Sequence, residues 1–407
     1  KNNSLQAPIA VTNNINTALI YAGAENHNNL TIFGNTLTGG SAGVFVLGYP
    51  TKLFYTPNLF VDSNQFVNNA YNGIVASNRE NVSVKSNSII SNSVNMVNAI
   101  SLSSTAGSIN VSSNTIQIVK GNGIQLYQNA YYNELGVALV YSNQIYVNGT
   151  GSLAQRGVSV VEGSKVEIYN NTIKLESSNT TVSASGIHLE GGIMYSNLQN
   201  TASYGFKVIN NIVEVENGYP LNVAELWWDV NNQVSRFAVQ TINNNFYFNN
   251  NGTNVARVVV TDYAKTAFNS FKGAINANSD SISKYLRIPF AAGTLKPLES
   301  DTLAWWVNGR ALHITVVDRD VTNANRATSA FNGVPDMGAH EITPTVAPPL
   351  ATAIPALPVA GQTQSFIFMG DTIAKLTWDA FATPPSSVQV RQFVGERPPL
   401  VSANQKS

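Results

Sequence analysis

An eight-residue phrase recurs eight times between residues 30 and 250: apolar, any, apolar, two further residues, then Asn, any and apolar. The copies begin at Leu30, Leu59, Val82, Ile109, Ala138, Val166, Phe206 and Val239, and their aligned asparagines are Asn35, Asn64, Asn87, Asn114, Asn143, Asn171, Asn211 and Asn244. Successive asparagines stand 23 to 40 residues apart. A unit that short cannot bury its apolar face alone and must stack on a neighbour, so the chain is a solenoid.

Before each Asn the apolar residues alternate, which is the period of a strand with one buried face. A second apolar strand falls midway between most copies and usually opens with glycine, at Gly43, Gly73, Ala99, Gly123, Gly157 and Gly186. Two or three strands per turn of about 27 residues, with no helical pattern between them, predict an all-β chain wound as a right-handed parallel β-helix from about residue 9 to 300. An Asn at the corner between strands tolerates a left-handed backbone, and its amide can bond to the equivalent Asn one coil up, building a buried row. A leucine-rich horseshoe also carries Asn in a short repeat, but here the repeats are longer and unequal, Leu is not periodic and no 3.6-residue pattern appears.

Charged residues make up 11% of the chain, against roughly 25% in an ordinary globular domain. The formal net charge is +0, from 23 basic and 23 acidic residues. That disfavours nucleic acid and anionic membranes as partners, since both call for clustered Lys and Arg. The count of Cys is 0, which removes disulfides and thiolate metal sites. No apolar run reaches the length of about 18 residues that spans a bilayer. The opening KNNSLQAPIAV lacks the regions of a signal peptide, and with a coil already under way by Thr17 to Ile20, Lys1 reads as the start of a window on a longer chain or as a processed terminus.

After residue 260 the character changes. Residues 262–341 read as a closing segment: helix-friendly pieces over 262–290, Trp305 and Trp306, a strand-like ALHITVV from Ala311, the polar DRDVTNANR from Asp318, and PDMGAHE from Pro335. Residues 342–360 hold five prolines among Ala and Thr and form an extended linker. Residues 361–407 begin a small, incomplete β-sandwich module, which divides the chain into 1–341, linker and module.

The glycine-led strands, the asparagine corners and the closing D-x4-N-x2-R followed by PDMGAHE resemble the right-handed parallel β-helix repeat proteins of bacterial surfaces. In that family a D-[IM]-G-A-x-E phrase ends the helix, and a Pro-rich linker leads to β-sandwich modules and a C-terminal sorting signal. The segment SSVQVRQFVGERPP is similar to the opening of one such module in proteins exported by the type IX route. The resemblance implies an extracellular or cell-surface location on a Gram-negative bacterium, with surface or filament subunits or glycans as partners.

The same fold hosts enzymes, so the chemistry must be read from residues. Glycoside hydrolysis needs two carboxylates about 5 to 10 Å apart, and the paired-acid phrases of β-helix hydrolases are missing. The best catalytic candidates are Glu162, Glu190, Glu225 and Asp262, which follow the midway strand on successive coils, with His188 nearby. Stacked in register they would hold a Ca²⁺ ion or a lyase base; out of register each is solvated alone. Asp318 and Asp320 are oxygen ligands of a type that suits Ca²⁺, without the spacing of a known loop. The competing reading is a clamp of Arg326 on Asp336 or Glu341 that pins the closing segment. Trp228, Trp305 and Tyr132 each belong to an adjacent aromatic pair, and in a strand one member of each pair faces out, where it can stack on a sugar or a partner. The expected function is a non-catalytic structural or adhesive rod; the alternative is a polysaccharide lyase or glycoside hydrolase.

Overall fold

The computed structural model describes residues 1–347 apart from 11, 25–26, 50–54, 130–135, 150–154, 164, 178–183, 192, 195–204, 226, 230–233, 237–238, 276–278 and 328–333; beyond them it describes 388–390 and 403–405. Three long sheets run through the molecule, two of ten strands and one of eight. Each coil contributes one strand to each sheet, and the pairing from coil to coil is parallel. The chain is a parallel β-helix with three strands per turn. Pairing begins at Ser4–Ile9 and reaches Lys284–Tyr285, slightly wider at its start than the sequence predicts.

We call the three sheets A, B and C. The apolar half of each repeated phrase lies in sheet C, as in Leu59 and Val61 of Thr56–Asp62; the Asn turns the corner; the residues after it form sheet A, as in Gln65–Val67; and the glycine-led strand, as in Asn72–Ser77, forms sheet B. Alternation sends Val61, Phe66 and Ile74 inward from the three sides of one coil, each at most 1% exposed. Stacked over all coils these positions make one continuous apolar column from Ile32 to Val258.

The glycine that opens the sheet B strands has a packing cause. A Cβ at Gly157 would lie 2.3 Å from Ile173 Cγ2 and 2.6 Å from the Gly186 carbonyl, both on the next coil. Gly123 and Gly186 face the same collision with Ile145 and Val213. The sheet A side chain fills the space that the missing side chain leaves.

The corner divides between two residues. The position before each row Asn has the left-handed backbone: Gly34, Ser63, Ser86, Ser113, Ser142, Asn170, Asn210 and Asn244 all have positive φ. The next residue supplies the amide. In each link the backbone N–H and Nδ2 of one Asn donate to Oδ1 of the Asn one coil on, at 2.9 to 3.0 Å for Asn64 to Asn87, Asn87 to Asn114 and Asn114 to Asn143. Nδ2 also donates back to a carbonyl of the preceding coil, such as Ile32 O for Asn64 and Val61 O for Asn87. The row starts at Asn3, which donates to Asn35, and ends where Asn245 N–H donates to Ser283 Oγ.

One predicted member is displaced. Asn211 donates to Asn245, and Asn244 instead occupies the left-handed position at φ 53. A register shift between Phe206 and Lys207, where the partner strand advances from Val239 to Thr241, adds one residue to that coil and moves the row Asn one place along. The triple Asn243, Asn244, Asn245 concealed the slip in the sequence.

The last coil is closed by a short helix, Phe268–Phe271, whose Phe271 is buried in the end of the core beside Tyr247. From Leu286 the chain turns back and runs along the outside as an arm. It buries a second apolar cluster, with Ile288, Val307, Met337 and Ile342, over Ile212 and Phe246 of sheet A. Val317 packs on Tyr141 and Tyr169 of sheet C. The stretch from Ala311 to Val317 is not a strand: Asn210 holds Leu312 through both its N–H and its carbonyl, at 2.9 and 2.7 Å, and so takes the hydrogen bonds a strand partner would make. The proposed linker and module lie outside the described residues except for 342–347 at the start of the linker and the pairing of Val388–Val390 with Ala403–Gln405.

Candidate functional site

The acids that follow the midway strands do not form one column. Glu162 is a corner residue at φ 53, in line with Asn78, Ser104 and Gln128, and Gln128 Nε2 donates to its carboxylate at 2.7 Å. Glu190 is in backbone register with Glu225, whose side chain lies outside the described residues. Asp262 sits on an added antiparallel strand, 3.6 Å from Arg257, and accepts from Tyr219 Oη at 3.1 Å. The irregularity between Val160 and Gly163 sets Glu162 in a corner and the antiparallel addition carries Asp262 off the parallel ladder, whereas the shift between Leu189 and Glu190 brings Glu190 opposite Glu225.

His188 is 4% exposed, and its Nε2 lies 3.5 Å from Glu190 Oε2. Burial pushes the imidazole below its ordinary range against the pull of Glu190, and the contact with His188 holds the Glu190 carboxyl down. Its register row is Ser159, His188, Asn222 and Arg257, so two of its neighbours are neutral.

The arm's clamp is built on Arg326, 3% exposed. Its guanidinium donates to Glu341 Oε1 at 2.7 Å, to the carbonyls of Gly338, Asp336 and Arg319 at 2.8, 3.2 and 3.2 Å, and to Ser142 Oγ at 3.3 Å. The Asp336 carboxylate is used elsewhere, accepting from the amides of Gly309 and Ile342 at 2.6 Å each. Burial, then Glu341, pushes Asp336 up to about 7 against those amides and Arg326. Asp320 Oδ1 accepts from Thr322 N, Thr322 Oγ and Ala324 N, and its Oδ2 accepts from Glu341 N. Oxygens so committed turn a loop and do not fit a cation; Asp318 contributes its carbonyl, which accepts from Arg326 N. Among the described residues no group of three or more His, Cys, Asp or Glu is arranged to hold a metal.

Trp305 lies in a 3-10 turn, Thr302–Trp306, not a strand, so alternation does not decide its exposure. Its Nε1 donates to Val346 O at 2.9 Å, and it is half-buried. The backbone of Trp228 is in the strand Trp227–Asp229, but its side chain and the whole of Tyr132 lie outside the described residues.

Sequence reasoning missed a cleft of about 480 Å³ on the outer face of sheet A. Its floor is Gln117, Tyr146, Lys174 and Glu214, one residue per coil in exact parallel register. The arm from Arg287 to Leu295 is its wall. Glu176 beside the floor accepts from Tyr146 Oη and from Lys174 Nζ, the latter at 2.6 Å. Arg287 stands 3.6 Å from Glu214 and over the ring of Phe248, which tilts against Tyr285. Burial raises the Glu214 carboxyl despite Lys174 and Arg287. For Glu176 burial is outweighed by the bonds from Lys174 and Tyr146, and its carboxyl is lowered. His340, held neutral by burial with its pKa lowered to about 4, lies 2.8 Å from Gln144 Oε1 at the cleft edge.

A signal for the floor was present in the sequence: it is the third residue after each row Asn. On early coils that position is Thr38, Val67 and Ile90; on later ones it is Gln117, Tyr146, Lys174, Glu214 and, counting from Asn245, Phe248. The run of large polar residues from Gln117 to Glu214, after small or apolar ones, marks where the arm lies alongside.

Three parallel sheets wound around one apolar column and cornered by asparagines define a parallel β-helix protein. No protein-family model, no curated protein and no solved structure matches the chain.

Proposed function

We propose that this protein is a non-catalytic structural or adhesive element of a Gram-negative bacterial surface or surface filament, one of the repeat proteins its motifs resemble, reaching the exterior by a route such as type IX export. The observation that carries the reading is the unbroken asparagine row from Asn3 to Asn245 beside a single apolar column. Each buried amide bonds both up and down the stack, so every coil is tied to its neighbours by side chains as well as by the sheets, and the product is stiffness along the axis. The polar acids of sheet B support the same reading: Glu162, Glu190 and Asp262 each have a partner, a geometry that stabilises corners and edges. A neutral exterior rich in Asn, Ser and Thr offers many weak hydrogen-bonding positions to glycans or neighbouring subunits.

The test is incubation with pectate, polygalacturonate, alginate and glycosaminoglycans, with and without Ca²⁺, alongside adhesion of protein-coated beads to glycan-coated surfaces. We expect adhesion without unsaturated products or new reducing ends. Product release that Glu190→Gln or Glu225→Gln abolishes, with the fold retained, overturns the reading and makes the sheet B acids an active site.

A further inference from the structure

We propose that the cleft between sheet A and the returning arm is a binding site for an uncharged oligosaccharide. This deepens the adhesive reading and rests on it. The cleft volume of about 480 Å³ falls in the range of small-molecule sites, roughly 300 to 1,000 Å³. Its charges come as pairs already made, Lys174 with Glu176 at 2.6 Å and Arg287 with Glu214 at 3.6 Å. A polyanion must displace or face the two glutamates, and a polycation must face Lys174 and Arg287. Sugar hydroxyls donate and accept at once, so they can join both members of each pair without breaking it.

The remaining lining fits the same class. Gln117 and Gln144 carry amides that both donate and accept, and His340 fixes the orientation of the second. The Tyr146 ring supplies a flat apolar surface beside these groups. The floor residues are spaced by the coil rise of about 4.8 Å, close to the spacing of successive sugar rings, so a linear chain laid along the axis meets one floor residue after another.

The test is calorimetric titration of the full chain with uncharged linear hexasaccharides, β-1,4-linked glucose, mannose and xylose and α-1,4-linked glucose, against oligogalacturonate and chitosan oligomers. We expect at least one uncharged probe to bind, and the double variant Gln117→Ala with Lys174→Met to weaken it about tenfold or more. Both changes face outward, and an unchanged melting profile verifies the fold; Glu190→Gln on sheet B should leave binding unaltered. Binding of only the charged oligomers overturns the assigned class. No binding of any uncharged probe, or undiminished binding in the double variant, overturns the site. Bead adhesion by the same double variant separates the two readings: adhesion that persists without cleft binding leaves the adhesive function standing and removes only this site.

Discussion

At the scale of the residue, the corner assigns different work to adjacent positions, and substitutions should reveal it. Asn143 accepts from Asn114, and donates to Asn171 Oδ1 and Val111 O, all buried. Asn143→Ala leaves several of those groups without partners and should cost about 3 kcal/mol or more in urea denaturation. One place before the row Asn the requirement is conformational. Ser86 has φ 55, so Ser86→Gly should be neutral within about 1 kcal/mol while Ser86→Val loses about 1 to 2 kcal/mol. A loss at Ser86→Gly as large as at Asn143→Ala would contradict this division of labour. Titration offers a second residue-scale test. Asp280 is buried, and burial pushes its carboxyl up to about 7, against bonds from Ser283 and Tyr247. A folded pKa above the unfolded one means the stabilising contribution is complete below the unfolded carboxylate range, about pH 4, and is lost as pH rises through about 7. The stability difference between wild type and Asp280→Asn, followed by urea midpoints from pH 4 to 8, should therefore shift against the wild type as pH rises. A difference that stays flat over that range refutes the assignment.

At the scale of the element, strand and arm each depend on one fitted contact. Gly157→Ala puts a Cβ where Ile173 Cγ2 and the Gly186 carbonyl already stand, and should destabilise by about 1 to 3 kcal/mol in thermal melts. Ala99 holds the equivalent place in its own coil, and Ala99→Gly should change little beyond strand entropy, about 0.5 to 1 kcal/mol. The arm hangs on Arg326. Arg326→Met leaves the Glu341 carboxylate and the Gly338 carbonyl without their donor, at a cost of about 3 to 5 kcal/mol if the arm stays docked. We expect the arm to loosen instead, seen as faster amide exchange at Ala339 and Ile342 with the sheets still protected. Unchanged exchange there would show that the apolar clusters alone hold it.

At the scale of the whole molecule, a solenoid's stability is a sum over coils and their interfaces, so protection should vary along the axis. Ser4–Ile9 pairs only with Thr36–Gly40, whereas Gln144–Gly149 has a paired strand on each side. Hydrogen exchange of this chain should be fastest in the first coil and slowest from about residue 115 to 190, where the arm also lies against the outer face. Uniform protection would mean that the molecule opens as one unit.

The asparagine phrase, its period and the alternation before it were enough to read stacked coils of two or three strands, a buried amide row and the glycine-led strands, because inter-coil pairing repeats one local pattern and so writes it repeatedly into the chain. Four features were decided only in three dimensions. The final row position is Asn245 and not Asn244, because a one-residue shift near Phe206 alters the register and three consecutive asparagines hide it. Glu162, Glu190 and Asp262 do not share a column, because an irregularity in one strand puts Glu162 in a left-handed corner and an antiparallel addition carries Asp262 off the parallel ladder. Ala311 to Val317, strand-like by composition, is held by Asn210 and not by a ladder. The cleft needs Arg287 to lie over Glu214, a contact set by the arm's return along sheet A. A repeat announces what it does on every coil; a contact made once, between segments far apart in the chain, leaves no periodic trace.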